Sequence, residues 1–293
     1  MHEIVVLSGK GGTGKTSVAA ALAVLAGNKA VIADCDVDAA NMHLLLQPDF
    51  ALGTEFYSGE QAEIDPELCI QCGKCADVCR FDAIETLDGK YFVKKLDCEG
   101  CGYCEKVCPS EAITMKERKS GQVYISETRM QNTMVHARLD IGADNSGKLV
   151  TRVKNEAKKL AVENKKDFII VDGSPGIGCP VVSSLAGATY VILVTEPTQS
   201  GLHDLERVWQ VIKKFRIPAG CIINKSDLNE EKTSEIRTFI HQEKIDFLTE
   251  IPYNDNFTKS MIEGKTIAES QTMLKPLIEN IWKQVNEKLT NKN

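Results

Sequence analysis

The stretch Gly9-Lys-Gly-Gly-Thr-Gly-Lys-Thr16 limits what this chain can fold into more than any other. It follows the apolar run Ile4 to Leu7 and precedes the alanine-rich, helix-favouring run Ser17 to Ala26, so it reads as strand, glycine loop and helix. With Gly9, Gly14, Lys15 and Thr16 at this spacing, backbone N–H groups and a helix N-terminus converge on an anion, and the glycines let the backbone come close. Lys15 would reach the β and γ phosphates of a nucleotide, and the Thr16 hydroxyl would ligate the Mg2+ that bridges them. The candidate nucleotide-binding residues in this loop are Gly11, Gly12, Thr13, Gly14, Lys15, Thr16 and Ser17.

Two further segments fit that loop. Lys29 to Asp38 is an apolar strand ending in Asp34, Asp36 and Asp38, and strand ends are where α/β sheets hold their sites. Extended to its end, such a strand would carry the three carboxylates on one face, a crowding that calls for a cation or a proton relay. A helix is expected from Ala39 to Leu46. Asp167 to Asp172 reads as a buried strand running into Asp172-Gly-Ser-Pro-Gly176, where Asp172 could hold Mg2+ through water and Gly176 could hinge.

The chain's 293 residues, 43% of them hydrophobic, allow one large core and a smaller module. A net charge of −6 offers no basic footprint, so no nucleic-acid partner is expected. No apolar run approaches the roughly 20 residues of a spanning helix, and the first ends at Ser8, so neither membrane insertion nor export is expected and the location is cytoplasmic. Eleven cysteines in that compartment point to metal rather than disulfides.

Eight of those cysteines form a duplicated pattern. Cys69, Cys72, Cys75 and Cys79 give C-x2-C-x2-C-x3-C, and Cys98, Cys101, Cys104 and Cys108 repeat it 29 residues later, with Ala83-Ile84 recurring as Ala112-Ile113. Four soft thiolates suit zinc as well as iron and sulfur, and three cysteines spaced by two with a more distant fourth favour a cubane 4Fe-4S cluster. The duplication resembles bacterial two-cluster ferredoxins. That resemblance implies an exchange of fourth ligands, with Cys69, Cys72, Cys75 and Cys108 around one cluster and Cys79, Cys98, Cys101 and Cys104 around the other. Arg80 stands after Cys79 where Pro109 follows Cys108, and a cation there is expected to raise the potential of the cluster it adjoins.

Lys10, the second lysine of the glycine loop, makes the chain resemble the deviant-Walker ATPases, the superfamily of MinD, ParA, Mrp and the nitrogenase iron protein. The resemblance implies a P-loop ATPase and an ATP-sandwiched homodimer in which Lys10 touches the partner's nucleotide. It assigns catalytic roles to Lys10, Lys15 and Asp36, Asp36 acting on the attacking water, and it puts Asn224 and Pro252 beside the adenine. The remaining pattern alternates: strand Tyr190 to Thr195, helix Ser200 to Phe215, strand Ala219 to Asn224, helix Glu230 to Gln242 and strand Phe247 to Ile251. Strands at 122–130 and 133–141, a helix from Ser146 to Asn164 and a C-terminal helix with a core-facing stripe complete the expectation.

The expected fold class is α/β: a mainly parallel sheet covered by helices on both faces over 1–60 and 117–293, with a small inserted α+β ferredoxin-type domain over 61–116. ATP, Mg2+ and two 4Fe-4S clusters are the implied cofactors, and a redox protein is the implied further partner. The alternatives are an iron-sulfur carrier of the Mrp kind and a redox-sensing positioning ATPase of the MinD or ParA kind.

Overall fold

The computed structural model describes residues 1–143, 147–270 and 272–290. In chain order the elements are β1 (His2–Leu7), α1 (Lys15–Ala26), β2 (Ala30–Asp34), α2 (Met42–Leu46), β3 (Leu52–Ile64), α3 (Lys74–Val78) and β4 (Ile84–Leu87). Next come β5 (Lys90–Val93), α4 (Tyr103–Val107), β6 (Ile113–Glu127), β7 (Thr133–Leu139), α5 (Gly147–Glu163), β8 (Phe168–Asp172) and α6 (Cys179–Leu185). The last are β9 (Tyr190–Thr195), α7 (Gln199–Phe215), β10 (Ala219–Asn224), α8 (Glu230–Gln242), β11 (Asp246–Ile251), α9 (Asn256–Ile262) and α10 (Lys275–Thr290). The chain divides into two compact units. The first comprises Met1–Thr54, Val123–Arg138 and Asn145–Asn293, and the second comprises Glu55–Gln122 and Leu139–Asp144. The second is thus wider than the expected 61–116.

In the first unit the strand order is β11-β10-β9-β1-β8-β2-β7, followed by β6 and β3, whose residue ranges cross the unit boundary. β1 runs parallel to β8 and β9, β2 to β8 and β7, and β10 to β9 and β11. Strands buried on both faces need unbroken apolar sequence, and Ile4 to Leu7, Ile169 to Val171 and Val191 to Leu193 are all at most 1% exposed. One face packs Ile4, Val6, Ile32, Ile170 and Ile192 against α1 and α10. The small side chains of Ala19 to Ala21 and Ala23 bring α1 close to the sheet, and Ile278, Ile281, Val285 and Leu289 of α10 complete that core. The opposite face is covered by α5, α6, α7 and α8. None of the described helices is long and apolar enough to cross a membrane.

Three expectations change. β2 stops at Asp34, and residues 37–39 form a short 3-10 turn, so Asp34, Asp36 and Asp38 do not share a strand face; Asp34 and Asp36 are buried while Asp38 is exposed. The helix expected at 39–46 begins only at Met42. A 13-residue strand, β3, occupies 52–64, where polar residues hid it. The helix expected from Ser146 is described from Gly147, Ser146 lying outside the described residues.

The second unit displays the duplication in its backbone. α3 and α4 are the same helix 29 residues apart, each entered through a glycine at positive φ, Gly73 at 78° and Gly102 at 71°. Asp65 N–H donates to Ala112 C=O at 2.8 Å and Lys94 N–H to Ala83 C=O at 2.7 Å, two bonds between positions related by the same offset. The two repeats therefore clasp each other about a pseudo-twofold.

A buried ion pair ties the first unit together. Lys154 Nζ on α5 stands 2.6 Å from Glu3 Oε1 on β1 and donates to the carbonyls of Ser184 and Ala186 at the end of α6. Their side chains are 7% and 8% exposed, so removing the cation strands a buried carboxylate. Lys154→Ala should destabilise the first unit by about 3 to 5 kcal/mol. Both tryptophans, Trp209 and Trp282, lie in that unit, so a urea titration followed by tryptophan fluorescence reads its midpoint. An unchanged midpoint would show that Lys154 contributes nothing there.

Candidate functional site

The parallel register brings the site residues of the first unit to one end of the sheet. Asp34 at the end of β2 is the Cα partner of Asp172 at the end of β8, and Val6 near the end of β1 pairs with Asp172 on its other side. The glycine loop emerges from β1 beside them. Gly14 sits at φ 94°, and a Cβ there would lie 2.5 Å from Asn224 Nδ2, so both backbone and packing demand glycine. Gly11 and Gly12 are exposed at the mouth of the loop, Thr13 is buried, and Thr16 and Ser17 are half-buried at the start of α1.

Lys15 is the centre of this site. Its side chain is 5% exposed, and its Nζ stands 2.5 Å from Asp172 Oδ1, 3.0 Å from Asp36 Oδ2 and 3.5 Å from Thr16 Oγ1. Burial opposes its charge, but Asp172 and Asp36 outweigh that and hold its pKa above the ordinary lysine value. Asp34 is pushed well above the usual carboxylate range by burial first and by neighbouring Asp172 second, with Lys15 opposing. Asp36 is also raised, again by burial, against the pull of Lys15. Among the described residues, Thr13 Oγ1, Asp34 Oδ2, Asp36 Oδ1 and Asp172 Oδ2 are buried without a hydrogen-bond partner. Two of these oxygens belong to the carboxylates that hold the Lys15 ammonium, so the site carries acceptor capacity that the protein's own donors leave unfilled.

Lys10 does not project freely. Its Nζ contacts Glu196 Oε1 at 2.7 Å, Ser200 Oγ at 2.8 Å and Thr198 Oγ1 at 3.1 Å, all in its own chain. Glu196 also receives Lys225 Nζ at 2.8 Å, and Lys225 donates onward to Gly12 C=O at 3.1 Å. Burial would raise the Glu196 pKa, yet the two lysines bring it below the ordinary value. Asn224 donates from Nδ2 to Thr13 C=O at 2.8 Å and accepts at Oδ1 from Lys225 N–H, so its amide braces the loop from behind. Pro252, half-buried, follows β11. Glu196 was not singled out from the sequence, although it directly follows an apolar strand, the position that drew attention to Asp172.

In the second unit the cysteines ring two cavities. Cys69, Cys72, Cys75 and Cys108 line one, and Cys79, Cys98, Cys101 and Cys104 line the other. Each draws three thiols from one repeat and the fourth from the other. Ala112 N–H donates to Cys108 Sγ at 3.3 Å and Ala83 N–H to Cys79 Sγ at 3.4 Å. Burial pushes the Cys75 and Cys104 thiols up, so their thiolate forms call for a compensating cation. Among the described residues no three His, Cys, Asp or Glu side chains gather as a ligand set for a single metal ion. The other cysteines stand apart: Cys35 and Cys221 are buried, and Cys179 is exposed at the start of α6.

Comparison with known proteins agrees with the loop and the sheet. Residues 4–267 match the family model CobQ/CobB/MinD/ParA nucleotide binding domain. An uncharacterised protein of Methanocaldococcus jannaschii is 36% identical over 229 residues, covering 78% of this chain and 79% of that protein. The solved septum site-determining protein MinD of Pyrococcus horikoshii, complexed with Mg-ADP, shares the fold at a TM-score of 0.59 and 21% identity, covering 100% of this chain and 98% of that one. An uncharacterised ferredoxin of Methanocaldococcus jannaschii is 42% identical over 57 residues, 18% of this chain and 74% of the ferredoxin. The chain belongs to the CobQ/CobB/MinD/ParA nucleotide-binding family.

Proposed function

We propose that this protein is a Mg2+-dependent ATPase whose nucleotide state and dimerisation are coupled to electron transfer through two 4Fe-4S clusters. The observation that carries the iron-sulfur half is the pair of four-cysteine cavities with their fourth ligands exchanged between the repeats. The similarity of 57 residues of the chain to an uncharacterised ferredoxin supports it. Cys69, Cys72, Cys75 and Cys108 would hold one cluster and Cys79, Cys98, Cys101 and Cys104 the other, supplying one-electron carriers to the inserted domain.

The nucleotide half is supported by Lys15 and the partnerless oxygens around it. ATP with Mg2+ would supply a phosphoanhydride and the charge that stabilises its cleavage. Gly11, Gly12, Thr13, Gly14 and Ser17 would contribute backbone or hydroxyl donors to the phosphates, and Thr16 and Asp172 would hold the metal, Asp172 through water. Phosphate offers Lys15 an alternative anion, so occupancy of the loop draws its ammonium away from Asp36 and Asp172. Asp36 is then free to orient water or take its proton. Lys10 must leave Glu196, Thr198 and Ser200 before it can reach a second subunit, which makes dimerisation depend on what competes for it. Asn224 would act on the base through the loop it braces, with Pro252 nearby in sequence to β11.

Lys15→Ala should abolish measurable binding of Mg-ATP by isothermal calorimetry, because it removes the cation facing the phosphates. Undiminished affinity in a folded Lys15→Ala protein would take Lys15 out of the site. Anaerobically prepared protein should contain about eight irons and eight acid-labile sulfides per chain, and Cys79→Ala should lose the cluster held mainly by the second repeat. Stoichiometric zinc without sulfide would overturn the iron-sulfur assignment.

A further inference from the structure

We propose that the cavity ringed by Cys69, Cys72, Cys75 and Cys108 holds the cluster of higher potential, and that the Ser110 hydroxyl is a residue that sets it there. This rests on the iron-sulfur reading above. The duplication supplies an internal control, because every residue around one cavity has a counterpart 29 positions away around the other.

Adding an electron makes a cluster and its thiolates more negative, so a donor or cation beside them favours the reduced state and raises the potential. One backbone donor to each exchanged ligand is matched in the two repeats, Ala112 to Cys108 at 3.3 Å and Ala83 to Cys79 at 3.4 Å. The side chains are not matched. Ser110 Oγ lies 3.7 Å from Cys108 Sγ, and toward a thiolate, which has no proton to give, the hydroxyl must be the donor. Its counterpart is Phe81, which lines the other cavity and has no polar hydrogen. Lys74 lines the first cavity where Tyr103 lines the second, and Glu99 lines the second where Ile70 lines the first.

A fourth pair, Tyr91 of the first cavity against Ala62 of the second, sets one phenol against that of Tyr103, and what remains is a donor and a cation on the first side and a carboxylate on the second. Lys74 and Glu99 are both exposed, so water and salt weaken their share, and the Ser110 contact is the local one. Arg80, beside Cys79, is exposed and does not line either cavity, so water and salt weaken its pull on that cluster as they do for Lys74 and Glu99. Electrons supplied by a low-potential one-electron donor therefore come to rest on the cluster of Cys69, Cys72, Cys75 and Cys108.

The test uses the full chain, prepared anaerobically, analysed for iron and sulfide, and titrated potentiometrically with EPR detection. Wild type should give two one-electron waves. Ser110→Ala should lower the upper wave by about tenfold in its equilibrium, which is 59 mV, and leave the lower wave in place. Ser110→Thr, which keeps a hydroxyl, should retain the wild-type upper wave, and Phe81→Ser should raise the lower one. A Ser110→Ala protein with full iron content and unshifted waves, or one in which the lower wave moves instead, overturns the proposal. If Ser110→Ala loses iron, Phe81→Ser decides alone, and an unmoved lower wave overturns it. Wild type with fewer than about four irons rejects the iron-sulfur reading itself, an outcome distinct from eight irons with unmoved waves.

Discussion

The ammonium of Lys15, held between Asp172 at 2.5 Å and Asp36 at 3.0 Å, is the interaction on which the nucleotide-binding unit depends. Parallel pairing of β2 with β8 sets Asp34 and Asp172 side by side, and the turn after β2 adds Asp36. Three carboxylates in so little water cannot all be charged without a cation, and Asp34 responds by holding its proton more tightly. Lys15 supplies the one buried positive charge at their centre, so the first strand, the two acidic strand ends and the start of α1 share a single electrostatic balance. Burying such a group is weak evidence for stability and better evidence for a site, because the same carboxylates would serve a divalent ion when the lysine turns to phosphate.

Much of this was legible in the sequence because it is written in local chemistry. The strand-loop-helix around Gly9 to Thr16 follows from glycine spacing and alanine propensity, and the buried strands at 168–172, 190–195 and 219–224 from unbroken apolar runs. The cysteine repeat was legible as a duplication of 29 residues, and the structure adds what the spacing did not show, two short helices, α3 and α4, at the same offset. The rest depended on distance. That Lys10 is held by Glu196, Thr198 and Ser200 joins residues nearly 190 positions apart, and no local pattern encodes it. Polar composition concealed β3, and the 3-10 turn at Val37–Ala39 withdrew Asp38 from the company of Asp34 and Asp36. The Lys154–Glu3 pair was hidden in the same way, since a lysine on an amphipathic helix reads as solvated until α6 is known to end above it.

Duplication gives the second unit both its stability and its asymmetry. Paired backbone bonds at 2.8 and 2.7 Å between positions of the same offset clasp the halves, so each four-thiol set is complete only when both repeats are folded. Once the backbone is matched, difference in function falls to the few side chains that are not, which is why Ser110 against Phe81 bears so directly on how two otherwise similar sites divide their work.

On the proposed function, the two units act through one chain whose order is itself suggestive. The chain leaves the first unit after Thr54, soon after the acidic turn of Asp36, re-enters it at Val123 in β6, and after a second excursion over 139–144 runs through α5 into β8 and Asp172. On that proposed function, a change at either carboxylate would be passed along the chain toward the cysteines. Coupling of about 1 to 3 kcal/mol, ordinary for linked sites, amounts to tens of millivolts in a one-electron potential, and linkage demands that cluster reduction alter nucleotide affinity by the same factor. The most direct measurement is the potential of both clusters in the protein alone, with ADP, and with a non-hydrolysable ATP analogue, paired with nucleotide affinity in the oxidised and reduced states. The account predicts that potentials and affinities shift together by matching factors; identical potentials in all three nucleotide states would contradict it.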